Sequence, residues 1–185
     1  MKKGKFIVIS GPSGVGKGTI CKRLFKELNA WYSVSTTTRE PREGETDGIN
    51  YYFISKEQFK KRIDDGEFLE YNIYNDNYYG TSKKVVLEKI NQGINVFSEI
   101  DVNGAFNIKK IFPDALLIYF APPSMETLRE RLINRGTENI DTIEARLKIA
   151  EEEMKKIDFY DYVVINDELE KAIDEVRNII INGTK

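Results

Sequence analysis

The chain has 185 residues, 41% of them hydrophobic, and a formal net charge of -2. A chain of this size can bury one good core, so we expect one globular domain. The near-neutral charge lacks the basic excess that general attraction to nucleic acid or an anionic membrane needs, and we expect neither partner. The sequence has no histidine, which excludes imidazole catalysis and histidine metal sites.

Two further features bear on the compartment. Cys21 is the only cysteine, so an intrachain disulfide is excluded and a reducing environment is favoured. The basic start MKKGKFIVIS has only five apolar residues in a row, and no apolar segment approaches the roughly 18 residues of a membrane span. We therefore expect a cytoplasmic protein, and the composition fits a monomer and a homo-oligomer equally.

The first predicted strand, FIVIS at 6–10, leads into the glycine-rich loop GPSGVGKGT and then into a helix. The loop fits the phosphate-binding pattern G-x-x-x-x-G-K, in which glycines let backbone N–H groups converge on phosphate oxygens and the lysine adds a positive charge. The helix N-terminus supports the same anion. The predicted triphosphate contacts are Gly11, Pro12, Ser13, Gly14, Val15, Gly16, Lys17, Gly18 and Thr19.

One position departs from that pattern. Gly18 stands where a serine or threonine usually meets Mg²⁺, so no direct hydroxyl ligand is available at that place. Thr19 lies one residue later and is the candidate metal contact, through a water molecule.

Residues 35–81 are rich in tyrosine, glycine and charge, and they alternate on a two-residue period in places. This pattern predicts an inserted, mostly β subdomain with one helix at 56–65, begun by a capping box of Ser55 and Gln58. A further helix is expected at 82–92, for which Thr81 is a candidate N-cap.

The second half of the chain alternates strands and helices. Apolar runs predict buried strands at 94–100, 115–121 and 162–165. Helical spacing predicts helices at 143–157 and 168–181, with a polar, mobile loop at 134–142 before them. Alternation of this kind predicts an α/β fold, a parallel sheet with helices on both faces.

A phosphate loop alone leaves the phosphate acceptor open: water, another protein or a small molecule. A regulatory GTPase should carry a guanine-reading N-K-x-D segment, and the sequence has none. A motor or transport ATPase should be larger and have a strand ending in aspartate for the metal. The strand at 94–100 is followed by Asp101, which fits that role, so further motifs are needed.

Those motifs are SVSTTTREPR at 33–42, NYYF at 50–53, FLEY at 68–71, NYYGT at 77–81 and SEIDVNGA at 98–105. With the phosphate loop they resemble the guanylate kinase family, in order and spacing, across nearly the whole chain. The resemblance implies a P-loop NTPase-type sheet flanked by helices, with an inserted GMP-binding subdomain and a helical lid. The implied segments are a core of 1–34, 82–133 and 143–185, the GMP-binding subdomain 35–81 and the lid 134–142.

The resemblance also implies which residues hold GMP: Ser35, Arg39, Arg42, Tyr51, Glu70, Tyr79, Thr81 and Asp101. Two arginines and two tyrosine hydroxyls would hold the phosphate, since planar guanidinium groups grip oxygen atoms in pairs. Glu70 and Asp101 would accept from the two N–H donors of guanine, and the hydroxyls of Ser35 and Thr81 would face its carbonyl oxygen. Without the surrounding motifs, Arg39 and Arg42 beside Glu40 and Glu43 would be interpreted as surface arginines among acidic neighbours.

Arginines of the lid would surround the transferring phosphate, and Arg129 is expected to keep the helix surface solvated. The implied catalytic residues are Lys17, Arg39, Arg131, Arg135, Arg146 and Asp101. Asn166 and Asp167 either border the adenine of ATP or form an ordinary strand-to-helix turn, and the sequence favours neither.

The implied reaction is ATP + GMP giving ADP + GDP with Mg²⁺, a step of purine nucleotide metabolism that recycles GMP. Another nucleoside monophosphate kinase is the alternative within the same class. A non-catalytic, peptide-binding module with this fold is the alternative from another class, and it should show a degraded phosphate loop. Because Lys17, Arg39 and the lid arginines are all present, the enzyme is favoured.

Overall fold

Strands and helices alternate along the chain. The computed structural model describes residues 3–28, 30–74, 76–136 and 139–183. The strands there are β1 (Phe6–Ser10), β2 (Trp31–Tyr32), β3 (Thr36–Thr37), β4 (Tyr52–Phe53), β5 (Phe68–Tyr74), β6 (Asn77–Ser82), β7 (Val96–Glu99), β8 (Leu116–Ala121) and β9 (Tyr162–Ile165). The α-helices are α1 (Lys17–Glu27), α2 (Lys56–Asp64), α3 (Lys83–Asn91), α4 (Val102–Ile111), α5 (Met125–Asn134), α6 (Ile140–Met154) and α7 (Leu169–Asn182).

The four strands predicted from apolar runs are confirmed. β1 and β9 have the predicted bounds, whereas β7 is shorter than predicted by three residues and β8 by one. All five side chains of β1 are buried, as are those of β8 after its first residue. Continuous burial explains why these strands are apolar runs and do not alternate.

The chain forms two compact units. The first comprises Met1–Val8 and Asn29–Leu116, and the second comprises Ile9–Leu28 and Leu117–Lys185. The division falls inside β1 and inside β8, after the first residue of β8. The finer predicted subdivision into a core, a GMP-binding subdomain and a lid stays a prediction.

In the first unit, β2, β7 and the first part of β1 lie side by side in the order β2-β7-β1, and β2 is parallel to β7. The stretch between Ser35 and Ser82 forms a separate four-stranded sheet in the order β4-β3-β6-β5. Phe59 of α2 is fully buried and stacks on Phe68 of β5, with ring centroids 4.4 Å apart. The predicted capping box is confirmed, because Ser55 and Gln58 each accept a hydrogen bond from the other's backbone.

In the second unit, the strands follow the order β1-β8-β9, and β8 is parallel to β9. α1 packs against α7 and α5 packs against α6. Cys21 is buried in α1. None of the helices in the described part of the chain has both the length and the apolar character that crossing a membrane requires.

The helix predicted at 143–157 is shifted towards the N-terminus. It begins at Ile140 because the Asn139 side chain accepts from the backbone N–H of Thr142 and so caps a helix that starts in the polar stretch. A separate 3-10 turn, Ile157–Phe159, follows it. The predicted loop 134–142 is shorter as a result, and its residues 137 and 138 lie outside the described residues.

Candidate active site

The predicted phosphate loop, Gly11–Thr19, connects β1 to α1 in the second unit. Gly16 has φ of 100° and Gly11 has φ of 145°, values that favour glycine. A Cβ atom on Gly11 would lie 2.4 Å from the backbone oxygen of Phe120, so a side chain there has no room. α1 begins at Lys17, which confirms the predicted helix directly after the loop.

Hydrogen bonds from two side chains hold the loop in shape. Lys17 Nζ donates to the backbone oxygens of Gly11, at 2.6 Å, and Pro12, at 3.0 Å. Asn166, which is 6% exposed, donates from Nδ2 to the backbone oxygen of Val15 at 2.6 Å. Asn166 therefore supports the phosphate loop itself, and its predicted adenine contact, like that of exposed Asp167, stays a prediction.

The three lid arginines lie on the helix pair α5 and α6. Arg131 and Arg135 are one turn apart at the C-terminal end of α5. Arg146 lies on α6 and donates to the hydroxyl of Ser13 in the phosphate loop. This contact ties one predicted transfer arginine to the predicted triphosphate site within the second unit.

Arg129, expected to keep the helix surface solvated, is half exposed and also forms an ion pair. Its guanidinium forms a two-fold contact with the Glu144 carboxylate, which links α5 to α6. Both side chains are about half exposed, so the pair contributes little to stability. Its consequence is geometric, because it ties together the two helices that carry the lid arginines.

The predicted acceptor-phosphate residues Arg39, Tyr51 and Tyr79 are together in the first unit. The guanidinium carbon of Arg39 lies 5.4 Å from the Tyr51 ring centroid, and the rings of Tyr51 and Tyr79 are 6.0 Å apart, edge to face. The Tyr79 side chain is also a hydrogen-bond partner of Arg39. The Arg42 side chain is exposed, and its contact with a phosphate stays a prediction.

Sequence reasoning missed Glu45 at this site. Arg39 Nη2 donates to both oxygens of its carboxylate, at 2.9 Å each, and the backbone N–H of Arg42 donates to one of them at 2.8 Å. Burial alone would raise the pKa of Glu45, but the Arg42 and Arg39 hydrogen bonds outweigh it and hold that pKa below its usual range. Glu40 and Glu43, the acids singled out from sequence, are both exposed.

Glu70 and Thr81 form the buried part of the predicted guanine site. They lie opposite each other in the register of β5 and β6, and the Thr81 hydroxyl donates to Glu70 Oε1 at 2.8 Å. The alternative role of Thr81 as an N-cap is therefore wrong, since Ser82 occupies the N-cap position of α3. Burial raises the pKa of Glu70 to about 7, the bond from Thr81 opposes that rise, and the charge of Asp101 adds to it.

Asp101 is the N-cap of α4. Its Oδ1 accepts from the backbone N–H groups of Asn103, at 2.9 Å, and Gly104, at 3.1 Å. A Cβ atom on Gly104 would lie 2.8 Å from Glu70 Oε2, so α4 and the Glu70 carboxylate are in close contact. The two predicted guanine acids thus lie beside one helix turn.

Sequence reasoning also missed Asn72, whose amide contacts Asp101. A two-residue step along a strand keeps side chains on one face, and that rule, applied from Glu70, would have pointed to Asn72.

Ser35 lies just before β3 and is half-buried, and its backbone oxygen accepts from the N–H of Tyr52 at 2.9 Å. Its predicted contact with guanine stays a prediction.

Comparisons with known proteins agree with this geometry. The family model described as guanylate kinase matches residues 3–182. The guanylate kinase of Clostridium acetobutylicum is 50% identical over 180 residues, covering 97% of this chain and 86% of that relative. That of Caldanaerobacter subterraneus subsp. tengcongensis is 50% identical over 181 residues, covering 97% and 88%.

A solved structure supports the fold as well. The crystal structure of guanylate kinase from Anaplasma phagocytophilum superposes with a TM-score of 0.83 at 33% identity, covering 98% of this chain and 87% of that one. The predicted α/β fold is confirmed by this match. On the family model and the relatives together, the chain belongs to the guanylate kinase family.

Proposed function

We propose that this chain transfers the γ-phosphate of ATP to GMP, giving ADP and GDP, and thereby recycles GMP in purine nucleotide metabolism. The observation that carries the proposal is that predicted phosphate contacts and predicted base contacts lie on the same face of the sheet formed by β5 and β6. Glu70 pairs with Thr81 and Asn72 with Tyr79 in the register of β5 and β6. Tyr79 and Thr81 are two residues apart on one strand, so a phosphate contact and a base contact lie on the same face.

Guanine is the base that fits this face. Its pairing edge carries two N–H donors beside a carbonyl oxygen, and the two carboxylates accept from the donors. Adenine carries a lone pair where guanine carries its ring N–H, so it would leave a buried carboxylate facing an acceptor. A site built to hydrogen-bond one partner rejects an analogue lacking the matching group by roughly four to five powers of ten.

Phosphoryl transfer needs alignment and positive charge more than proton chemistry. Lys17 and the loop N–H groups bind the triphosphate of ATP. Arg39, Tyr51 and Tyr79 bind the phosphate of GMP, with Arg42 completing the group. Arg131, Arg135 and Arg146 supply positive charge to the oxygens of the transferring phosphate.

Mg²⁺ enters this scheme with ATP. Among the described residues, no group of three or more His, Cys, Asp or Glu side chains is placed to hold a metal ion. Gly18 has no hydroxyl, and Thr19 is exposed at the start of α1. We therefore assign the ion's ligands to phosphate oxygens and water, with Thr19 contacting such a water.

The proposal is tested by measuring ADP formation from ATP with GMP, AMP, CMP or dTMP as the acceptor. We expect GMP to exceed each of the others in kcat/KM by at least roughly a thousandfold, because only guanine satisfies both carboxylates. A faster reaction with another monophosphate would assign the chain to a different substrate. ADP formation independent of any acceptor would indicate an ATPase.

A second prediction concerns Glu45. Replacing Glu45 with glutamine removes the charge that orients Arg39 and the turn at Arg42, so we expect the KM for GMP to rise by roughly three- to tenfold. The KM for ATP should stay the same. Steady-state kinetics with each nucleotide varied in turn measure both constants.

Glu43→Gln is the matched control, because Glu43 is exposed in the same turn. Its constants should equal those of the parent enzyme. An unchanged KM for GMP in the Glu45→Gln enzyme would show that Glu45 does not position Arg39. A lower KM would show that Glu45 competes with the phosphate for Arg39.

A further inference from the structure

Asn72 lies between the acceptor-phosphate and guanine groups of the acceptor site. It is opposite Tyr79 in the β5–β6 register and two residues from Glu70 along β5. Its Nδ2 donates to both oxygens of Asp101, at 3.0 Å to Oδ1 and 3.1 Å to Oδ2. Because the two distances are nearly equal, the amide binds the carboxylate between its two oxygens and opposes its displacement away from β5.

Asp101 is held from two sides as a result. The N–H groups of Asn103 and Gly104 hold Oδ1 from α4, while the Asn72 amide reaches both oxygens from β5. Helix capping holds one oxygen from the α4 side only, and among the described residues of α4 none donates to Oδ2. The Asn72 contact adds a donor on the β5 side, so the carboxylate is held between β5 and α4.

The chemistry of residue 72 also matters, because two carboxylates share this site. A lysine or arginine here would cancel the charge that the guanine donors require and would take the oxygen lone pairs in an ion pair. An apolar residue would leave Asp101 without a donor on the β5 side. The neutral amide supplies a donor and keeps the negative charge.

We propose that Asn72 is a positioning residue for guanine recognition, which holds the Asp101 carboxylate in the position where it accepts an N–H donor of the base. This inference rests on the proposed function. Asn72 acts through Asp101, and the two predicted guanine acids are then aligned by different neighbours, Glu70 by Thr81 and Asp101 by Asn72.

The test compares Asn72→Ala and Asn72→Asp with the parent enzyme. Loss of the amide donor should raise the KM for GMP by roughly three- to tenfold. Aspartate has the same shape but places a third carboxylate against Asp101, and should raise the KM for GMP by at least roughly tenfold. The KM for ATP should stay within about twofold for both variants. Asn72→Gln keeps the amide donor and should recover part of the affinity lost in Asn72→Ala.

The matched control is Asn91→Asp, which makes the same chemical change at an exposed residue of α3. Calorimetric titration with GMP, without ATP, should reproduce the changes in KM as changes in Kd. Thermal unfolding of every variant separates positioning from folding, because a purely structural role would change Tm and leave the ratio of the two KM values unchanged.

The outcomes separate this inference from the proposed function. A parent enzyme that does not phosphorylate GMP would overturn the proposed function and this inference with it. A parent enzyme active on GMP, together with an Asn72→Ala enzyme of unchanged KM for GMP, would overturn the role of Asn72 alone. Equal rises in both KM values would do the same.

Discussion

Replacing Lys17 with alanine is expected to lower kcat by roughly a hundred- to a thousandfold, the size of effect seen when one charged or hydrogen-bonding group is removed from a transfer site. The Lys17 ammonium group already lies within the phosphate loop, donating to the backbone oxygens of Gly11 and Pro12. ATP would bring phosphate oxygens to this same positive charge. The variant keeps the loop N–H groups, so ATP binding should weaken less than turnover.

The fold should tolerate the substitution. Two hydrogen bonds from a half-buried lysine are lost, and we expect the free energy of unfolding to fall by about 1–2 kcal/mol. Lys22→Ala is the matched control, because Lys22 is an exposed lysine of the same helix, α1. Kinetics and thermal unfolding of both variants give the two quantities. Near-parental kcat in a folded Lys17→Ala enzyme would contradict the assignment of Gly11–Thr19 as the triphosphate site.

The sequence predicted the phosphate loop and the strands well, for a physical reason. The loop depends on local requirements, namely glycines with positive φ, a buried strand before it and a helix after it, and each of these is visible within about a dozen residues. Buried strands are similarly visible as apolar runs. The start of α6 was missed because the spacing of apolar residues does not reveal an N-cap. The cap of α6 depends on one polar side chain, Asn139.

Contacts across turns and between strands were harder to predict. The bond between Thr81 and Glu70 joins residues eleven positions apart through a register that the sequence does not state. Glu45 contacts Arg39 because the turn between them folds back, and the sequence has no repeating pattern of apolar residues that would predict that turn. Asn72 reaches Asp101 across 29 positions. The residues proposed to touch nucleotide came from motifs, whereas those proposed to orient them were found only from the geometry.

Replacing Glu70 with glutamine is expected to have opposite effects on GMP binding and on stability. Glu70 is 7% exposed, and its carboxylate accepts from the Thr81 hydroxyl. The amide group of glutamine would place a donor where guanine also presents a donor, so the KM for GMP should rise on the order of a hundredfold or more. The KM for ATP should change little, since Glu70 is proposed to contact only guanine.

The stability effect follows from the pKa of Glu70. In the unfolded chain this carboxyl has its ordinary pKa of 4.5, whereas burial raises its pKa in the folded protein to about 7. Between these values the unfolded state loses the proton more readily than the folded state does. The free energy of unfolding of the nucleotide-free protein should therefore fall as pH rises from about 4.5 to about 7, by about 3 kcal/mol from this group.

Glutamine carries no charge at any pH and so removes this slope. The nucleotide-free Glu70→Gln protein should be more stable than the parent at pH 8, by up to about 3 kcal/mol, and nearly equal to it at pH 4.5. Urea unfolding at several pH values measures the difference, and Glu88→Gln, an exposed residue of α3, controls for the loss of one negative charge.

A variant that gains stability and loses GMP binding is expected only where a buried charge serves to bind a ligand. A Glu70→Gln protein that is less stable at pH 8, or that loses ATP and GMP affinity equally, would show that Glu70 supports the sheet and does not recognise the base.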